Sequence, residues 1–156
     1  MRATLSLLTA DQPGVLQRVA GLFSRRGYNI ESIAVGPCER EGCARMTIVT
    51  EAPGGSVPQA VHQIRKLIDV YEVDALEEPA IARQCMLVRL RMSPGEERAE
   101  RLRQWTQAFP CTVLSVRDDI VVLQLVATSS QNRAFVALVS DMVLQVASAG
   151  EVAVPL

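Results

Sequence analysis

The run Asp11-Gln12-Pro13-Gly14-Val15-Leu16 holds the residues of this 156-residue chain best suited to grip a small ligand. Pro13 fixes φ near the value of a first helical turn, where its missing N–H is not needed. Gly14 has no side chain, so the N–H groups of the helix that follows can be approached closely. Those donors and the positive end of the helix dipole suit a carboxylate. Asp11 and, further on, Asn29 offer polar side chains to an ammonium group. Val15, Leu16 and Ile30 can wall in a short aliphatic side chain. A free amino acid has these three parts. On the plainest view the same turn is only a well-capped helix, with Asp11 as N-cap or turn residue.

Little else in the sequence assembles chemistry. His62 is the one histidine, so any Ser-His-Asp or Cys-His arrangement must use it. It falls mid-helix between Val61 and Ile64, beside Gln59, Gln63 and Arg65, which is the setting of an exposed surface histidine. Asp118-Asp119 sits in an expected hairpin turn and Glu96-Glu97 at an expected helix start. No GxGxxG and no P-loop lysine motif occurs. Cys38 and Cys43 are close in sequence, but no second pair completes a zinc site, and they read as incidental hairpin cysteines. Cys85, in the run Cys-Met-Leu-Val, reads as a small core residue. No catalytic residue and no metal ligand is assigned.

Composition narrows the class. Hydrophobic residues make up 49% and charged residues 21%, which argues against disorder. No 18-residue apolar stretch suggests a membrane span. The N-terminal apolar run stops at Asp11, too short for a secretory signal, so a cytoplasmic, reducing setting is expected. The 16 basic and 17 acidic side chains are spread over both halves, leaving a net charge of −1 and no basic tail for nucleic acid.

The elements that must position the Asp11–Leu16 run follow from periodicity. Residues 3–8 predict a strand, and Val15, Leu16, Val19, Leu22 and Phe23 recur at helical spacing, closed by Gly27 after Arg25-Arg26. Residues 30–35 and 45–50 predict a hairpin of strands. Pro53-Gly54-Gly55-Ser56 breaks the chain with Ser56 as a possible N-cap. Val57, Val61, Ile64 and Ile68 predict a second helix, residues 70–76 a last strand, and Glu77-Glu78-Pro79 the close. The second half repeats this order: a strand at 85–92, a helix at 94–109 with Ala99, Leu102, Trp105 and Phe109 inward, and a hairpin about Arg117-Asp118-Asp119. A helix with Phe135, Leu138, Val139 and Met142 inward follows, then a final strand broken at Ala149-Gly150. The fold class is therefore α+β, two tandem ferredoxin-like βαββαβ domains at residues 1–78 and 79–156.

The segment DQPGVLQRVAGLFSRRGYNIESIAVGP (11–37), followed by ARMTIVTE (44–51), resembles the ACT domain of acetolactate synthase small subunits. HQIRKLIDVYEV and RQCMLVRLRM continue the likeness, which covers about residues 1–92 clearly. The resemblance implies a non-catalytic regulatory subunit. It binds the catalytic large subunit, raises its activity, and confers feedback inhibition by valine or a related branched-chain amino acid. Thiamine diphosphate, magnesium and FAD would belong to that partner, with no cofactor in this chain. ACT domains pair as a homodimer, and the effector residues fall on Asp11, Gly14, Val15, Leu16 and Asn29, with Ile30 nearby. Nucleic acid and membrane are not expected partners. Members sensitive to valine often carry Asn where this chain has Asp11. They also tend to carry Thr-Gly then Lys in the segment reading Thr128-Ser129-Ser130-Gln131-Asn132-Arg133 here, and an Arg before Ser/Thr-Gly where this chain has Ser148-Ala149-Gly150. These departures favour a second expectation, a free-standing amino-acid sensor or adaptor for a different enzyme.

Overall fold

The computed structural model describes residues 2–51, 57–77 and 80–156. The breaker at 53–56 with its Ser56 cap, and the close at Glu78-Pro79, lie outside the described residues. Two compact units emerge: Met1–Ala82 together with Gly150–Leu156, and Arg83–Ala149. The tail after Ala149, given to the C-terminal half on sequence, therefore goes with the N-terminal unit.

The first unit runs β1 (Arg2–Ala10), α1 (Val15–Arg25), β2 (Asn29–Pro37), β3 (Cys43–Glu51), α2 (Val57–Ile64) and β4 (Val70–Ala75). Its antiparallel sheet has the order β2-β3-β1-β4, the ferredoxin-like arrangement expected. Strand alternation turns Leu5, Leu7, Met46 and Ile48 toward Val15, Val19 and Phe23 of α1 and Ile64 of α2. The helix ends in a paired-bond C-cap: Tyr28 N–H donates to the Phe23 carbonyl at 2.9 Å and Gly27 N–H to that of Ser24 at 3.1 Å. Two side chains depart from the expected pattern. Leu16 is 47% exposed on the outer side of α1. Ile68 is 91% exposed, because α2 stops at Ile64 and the following turn sends Leu67 onto the core instead.

The tail is fixed to this unit by close backbone approach. A Cβ on Gly150 would overlap the Ile33 carbonyl, so only glycine fits there. The Glu151 N–H donates to Ser32 Oγ at 3.1 Å, and its buried carboxylate lies 3.8 Å from Arg2 Nη2. The last strand, β9 (Val152–Pro155), pairs β5 (Ala80–Arg91), whose residues 80–82 belong to the same unit.

The second unit continues β5 into α3 (Glu96–Ala108), β6 (Cys111–Arg117), β7 (Ile120–Ala127), α4 (Ser129–Leu138) and β8 (Val143–Ser148). Its strand order β6-β7-β5-β8 repeats the first unit's plan. Met86, Val88, Leu90, Val121, Leu123 and Leu125 form the floor on which Trp105 and Phe135 meet edge to face, ring centroids 5.7 Å apart. Thr128 and Gln131 cap α4 reciprocally, each side chain taking the other's backbone N–H. The tight hairpin places Asp118 at φ 50°. Three expected core residues face out: Cys85, Ala99 and Leu138 are exposed. Cys85 stands on the outward alternation of β5, and of the expected inward face of α4 Phe135 and Val139 are buried while Leu138 turns to solvent.

Candidate functional site

The turn from β1 into α1 is held where the strand ends. Ala10 N–H donates to the Asp69 carbonyl at 2.9 Å, and Asp11 N–H to that of Gly42 at 3.1 Å. The helix begins two residues later than Pro13 suggests: Gly14 is the N-cap, in the left-handed region at φ 86°, and Val15 is the first helical residue. Pro13 and Asp11 therefore lie in the approach, and no side chain caps the helix start. The Val15 N–H donates to the Gln12 carbonyl at 3.4 Å, and no side-chain oxygen, that of Asp11 included, caps the start of α1, where the positive end of the helix dipole lies.

A cation stands over it. The Arg18 guanidinium folds back so that a Cβ on Gly14 would lie 2.9 Å from its Nη1. Asp69 fixes it there, with Oδ2 2.6 Å from Arg18 Nε. Gly14 thus serves twice, adopting a φ that strains any other residue and leaving room for the guanidinium. Arg18 was not among the residues singled out on sequence. Its spacing of one helical turn from Gly14, on the polar side of α1, is the signal that could have found it.

The expected site residues divide into two groups. Asp11, Gly14 and Leu16 are exposed together at this turn. Val15 is buried at 2% exposure against the core, so its side chain cannot wall a ligand and only its backbone is available. Asn29 and Ile30 are elsewhere: Asn29 pairs with Glu51, which pairs with Arg2 at the start of β1. They therefore lie at the opposite end of the same sheet, about 25 Å along the strands at ~3.3 Å per residue. Asn29 is exposed, while Ile30 packs against the core.

His62 is exposed on α2, in a groove it shares with Arg65 and with Asp74 of β4. Cys38 donates weakly to the carbonyls of Arg40 and Cys43, each 3.6 Å away. Burial pushes the Cys111 thiol above its ordinary pKa. Its own backbone hydrogen bond, and then Arg45, hold the Glu39 carboxyl below the usual carboxylate range. Among the described residues no three His, Cys, Asp or Glu side chains come together as metal ligands would. No helix among them is long and apolar enough to cross a membrane.

Residues 5–72 match the AHAS small subunit-like ACT domain, and residues 83–155 match the small subunit of acetolactate synthase. The probable acetolactate synthase small subunit of Archaeoglobus fulgidus is 36% identical over 98% of this chain and 96% of its own length. The chain belongs to the acetolactate synthase small-subunit family. The Escherichia coli isozyme 3 small subunit is 39% identical over 97% of this chain and 94% of its own. The crystal structure of the Thermotoga maritima small subunit superposes with a TM-score of 0.88 over 99% of this chain and 96% of that one, at 28% identity. The match extends through the second half, so the departures at 128–133 and 148–150 leave that half within the small-subunit family. The family assignment, and with it a regulatory role in branched-chain amino-acid synthesis, rests on both halves.

Proposed function

We propose that this chain is a non-catalytic regulatory subunit, which binds the thiamine-diphosphate-dependent catalytic subunit of acetolactate synthase, raises its activity and makes it sensitive to valine or a related branched-chain amino acid. Thiamine diphosphate, magnesium and FAD are then held by the catalytic partner. The observation that carries the effector site is the uncapped start of α1 beside Arg18, with Gly14 between them. The effector's carboxylate would meet the backbone N–H groups and the guanidinium. Its ammonium group would face Asp11, and its aliphatic side chain Leu16.

The separation of Asn29 from that turn has a simple resolution in a homodimer. β2 is an edge strand of the first unit's sheet. Antiparallel pairing of two β2 edges about a two-fold axis reverses one strand against the other. Asn29 of the partner subunit would then arrive at the end of the sheet that carries Asp11 and Gly14, closing the site between two copies. Each protomer would supply half of two equivalent sites.

Co-expression with the catalytic subunit tests this function. Co-purification, a rise in acetolactate formation and inhibition by valine are expected. Valine binding by this chain with no effect on the catalytic subunit would instead support the free-standing sensor.

A further inference from the structure

The second unit covers its sheet on one face only. Along β5, Met86, Val88 and Leu90 point into the core under α3 and α4, while Leu87 and Arg89 point out. Leu87, Leu114 and Val126 are 42%, 50% and 45% exposed on the outward side. Clustered apolar exposure of this kind marks surfaces built for a partner. The charge of the face is one-sided. The strands β5, β6, β7 and β8 contain Arg83, Arg89, Arg91 and Arg117 and no Asp or Glu. Arg91 meets Asp119 of the hairpin turn at 3.3 Å. Arg89 lies between Val122 and Gln145 on the neighbouring strands, and no carboxylate pairs with it among the described residues.

We propose that this open face of the second unit is the docking surface for a protein that presents apolar side chains together with carboxylates, and that this protein is the catalytic subunit. The choice of partner rests on the regulatory role proposed above; the chemistry of the surface does not. Charge complementarity selects a different protein over a second copy. A two-fold pairing of this face with itself would bring together two surfaces whose charged strand residues are all arginine, with no Asp or Glu in β5, β6, β7 or β8 of either copy to compensate. A partner that supplies the carboxylates gains both the apolar contact and the ion pairs.

Cys85 gives a native probe, since it is exposed on the same face, opposite Val126. The full chain would be labelled with a maleimide, alone and with excess catalytic subunit, and modification at Cys85 followed by mass spectrometry. Affinity for the catalytic subunit would be measured in parallel for the wild type, Arg89→Glu, Arg89→Gln and Arg103→Glu, the last on the exposed side of α3, after each variant is checked for a native thermal transition. The expected results are slowing of Cys85 labelling by about tenfold or more in the complex, and a similar loss of affinity in Arg89→Glu. Arg89→Gln should show a smaller loss, and Arg103→Glu none. Undiminished Cys85 labelling in a complex that forms, with Arg89→Glu binding as tightly as wild type, overturns this surface and leaves the regulatory role standing. Disruption of the homodimer by Arg89→Glu overturns it in favour of self-association. Failure of the wild-type chain to bind the catalytic subunit overturns the regulatory role itself and the identity of the partner with it.

Discussion

The Arg18–Asp69 ion pair, Nε to Oδ2 at 2.6 Å, holds a guanidinium against the backbone of Gly14 at the start of α1. It joins the first turn of one helix to the loop that follows another, and it puts a positive charge where an incoming carboxylate would need one. Arg18→Gln should weaken valine binding by about fivefold or more, measured by calorimetry. The pair is half exposed on the arginine side, so its loss should cost no more than about 1 kcal/mol of stability. Unchanged affinity would show that the effector binds away from this turn.

Asp11 carries the opposite charge at the same turn. At an effective dielectric near ~20, two unit charges about 4 Å apart interact by about 4 kcal/mol, enough to decide sensitivity. With the effector's ammonium group facing Asp11, Asp11→Asn should weaken valine binding. A tighter affinity in that variant would show that repulsion of the effector's carboxylate outweighs that attraction.

Gly14→Asp should abolish binding. A carboxylate there would occupy the place of the effector's own and engage Arg18, and the left-handed φ of 86° would be strained by about 1 kcal/mol or more. Calorimetry and thermal unfolding together would separate the two effects. Retained affinity would move the site elsewhere.

Much of the fold can be read from the sequence because one-sided burial imposes a period. Val15, Val19 and Phe23 mark α1, and Met86, Val88 and Leu90 mark β5, by the spacing that puts them on one face. Reading fails where the chain leaves a period early. Ile68 continues the spacing of α2 but stands in solvent because the helix has already ended, and Leu138 sits on the last turn of α4 where Val139 takes the core. The site was half legible. Gly14 announces a close backbone approach, yet Arg18 becomes relevant only through Asp69, 51 residues away, which no local pattern connects. The return of Gly150 to Ile33 is a pairing of the same long-range kind.

That return is itself testable. Gly150→Ala would force a methyl group into the Ile33 carbonyl and its neighbouring backbone, neither of which can swing aside. A loss of about 2–3 kcal/mol in chemical denaturation, with the tail becoming open to carboxypeptidase, is expected. Wild-type stability in this variant would mean that the tail is not held against β2.

Thiol chemistry checks the packing of the second unit. Burial raises the Cys111 thiol, so its reactive thiolate forms only above the ordinary thiol range, and Cys85 is the more exposed of the two to a reagent. Near pH 8, iodoacetamide should modify Cys85 well before Cys111, and the gap should narrow as the pH climbs. The same shift means that this group favours the folded chain at lower pH and loses that contribution as the pH rises past its folded value. Equal rates for both cysteines near pH 8 would contradict the burial of Cys111.

The most direct test of the regulatory role is a titration of the purified chain into the purified catalytic subunit while acetolactate formation is followed, with and without valine. Saturable activation that valine reverses is the expected result. A catalytic subunit that forms no complex with this chain, and whose rate is the same at every concentration of it, would contradict the account.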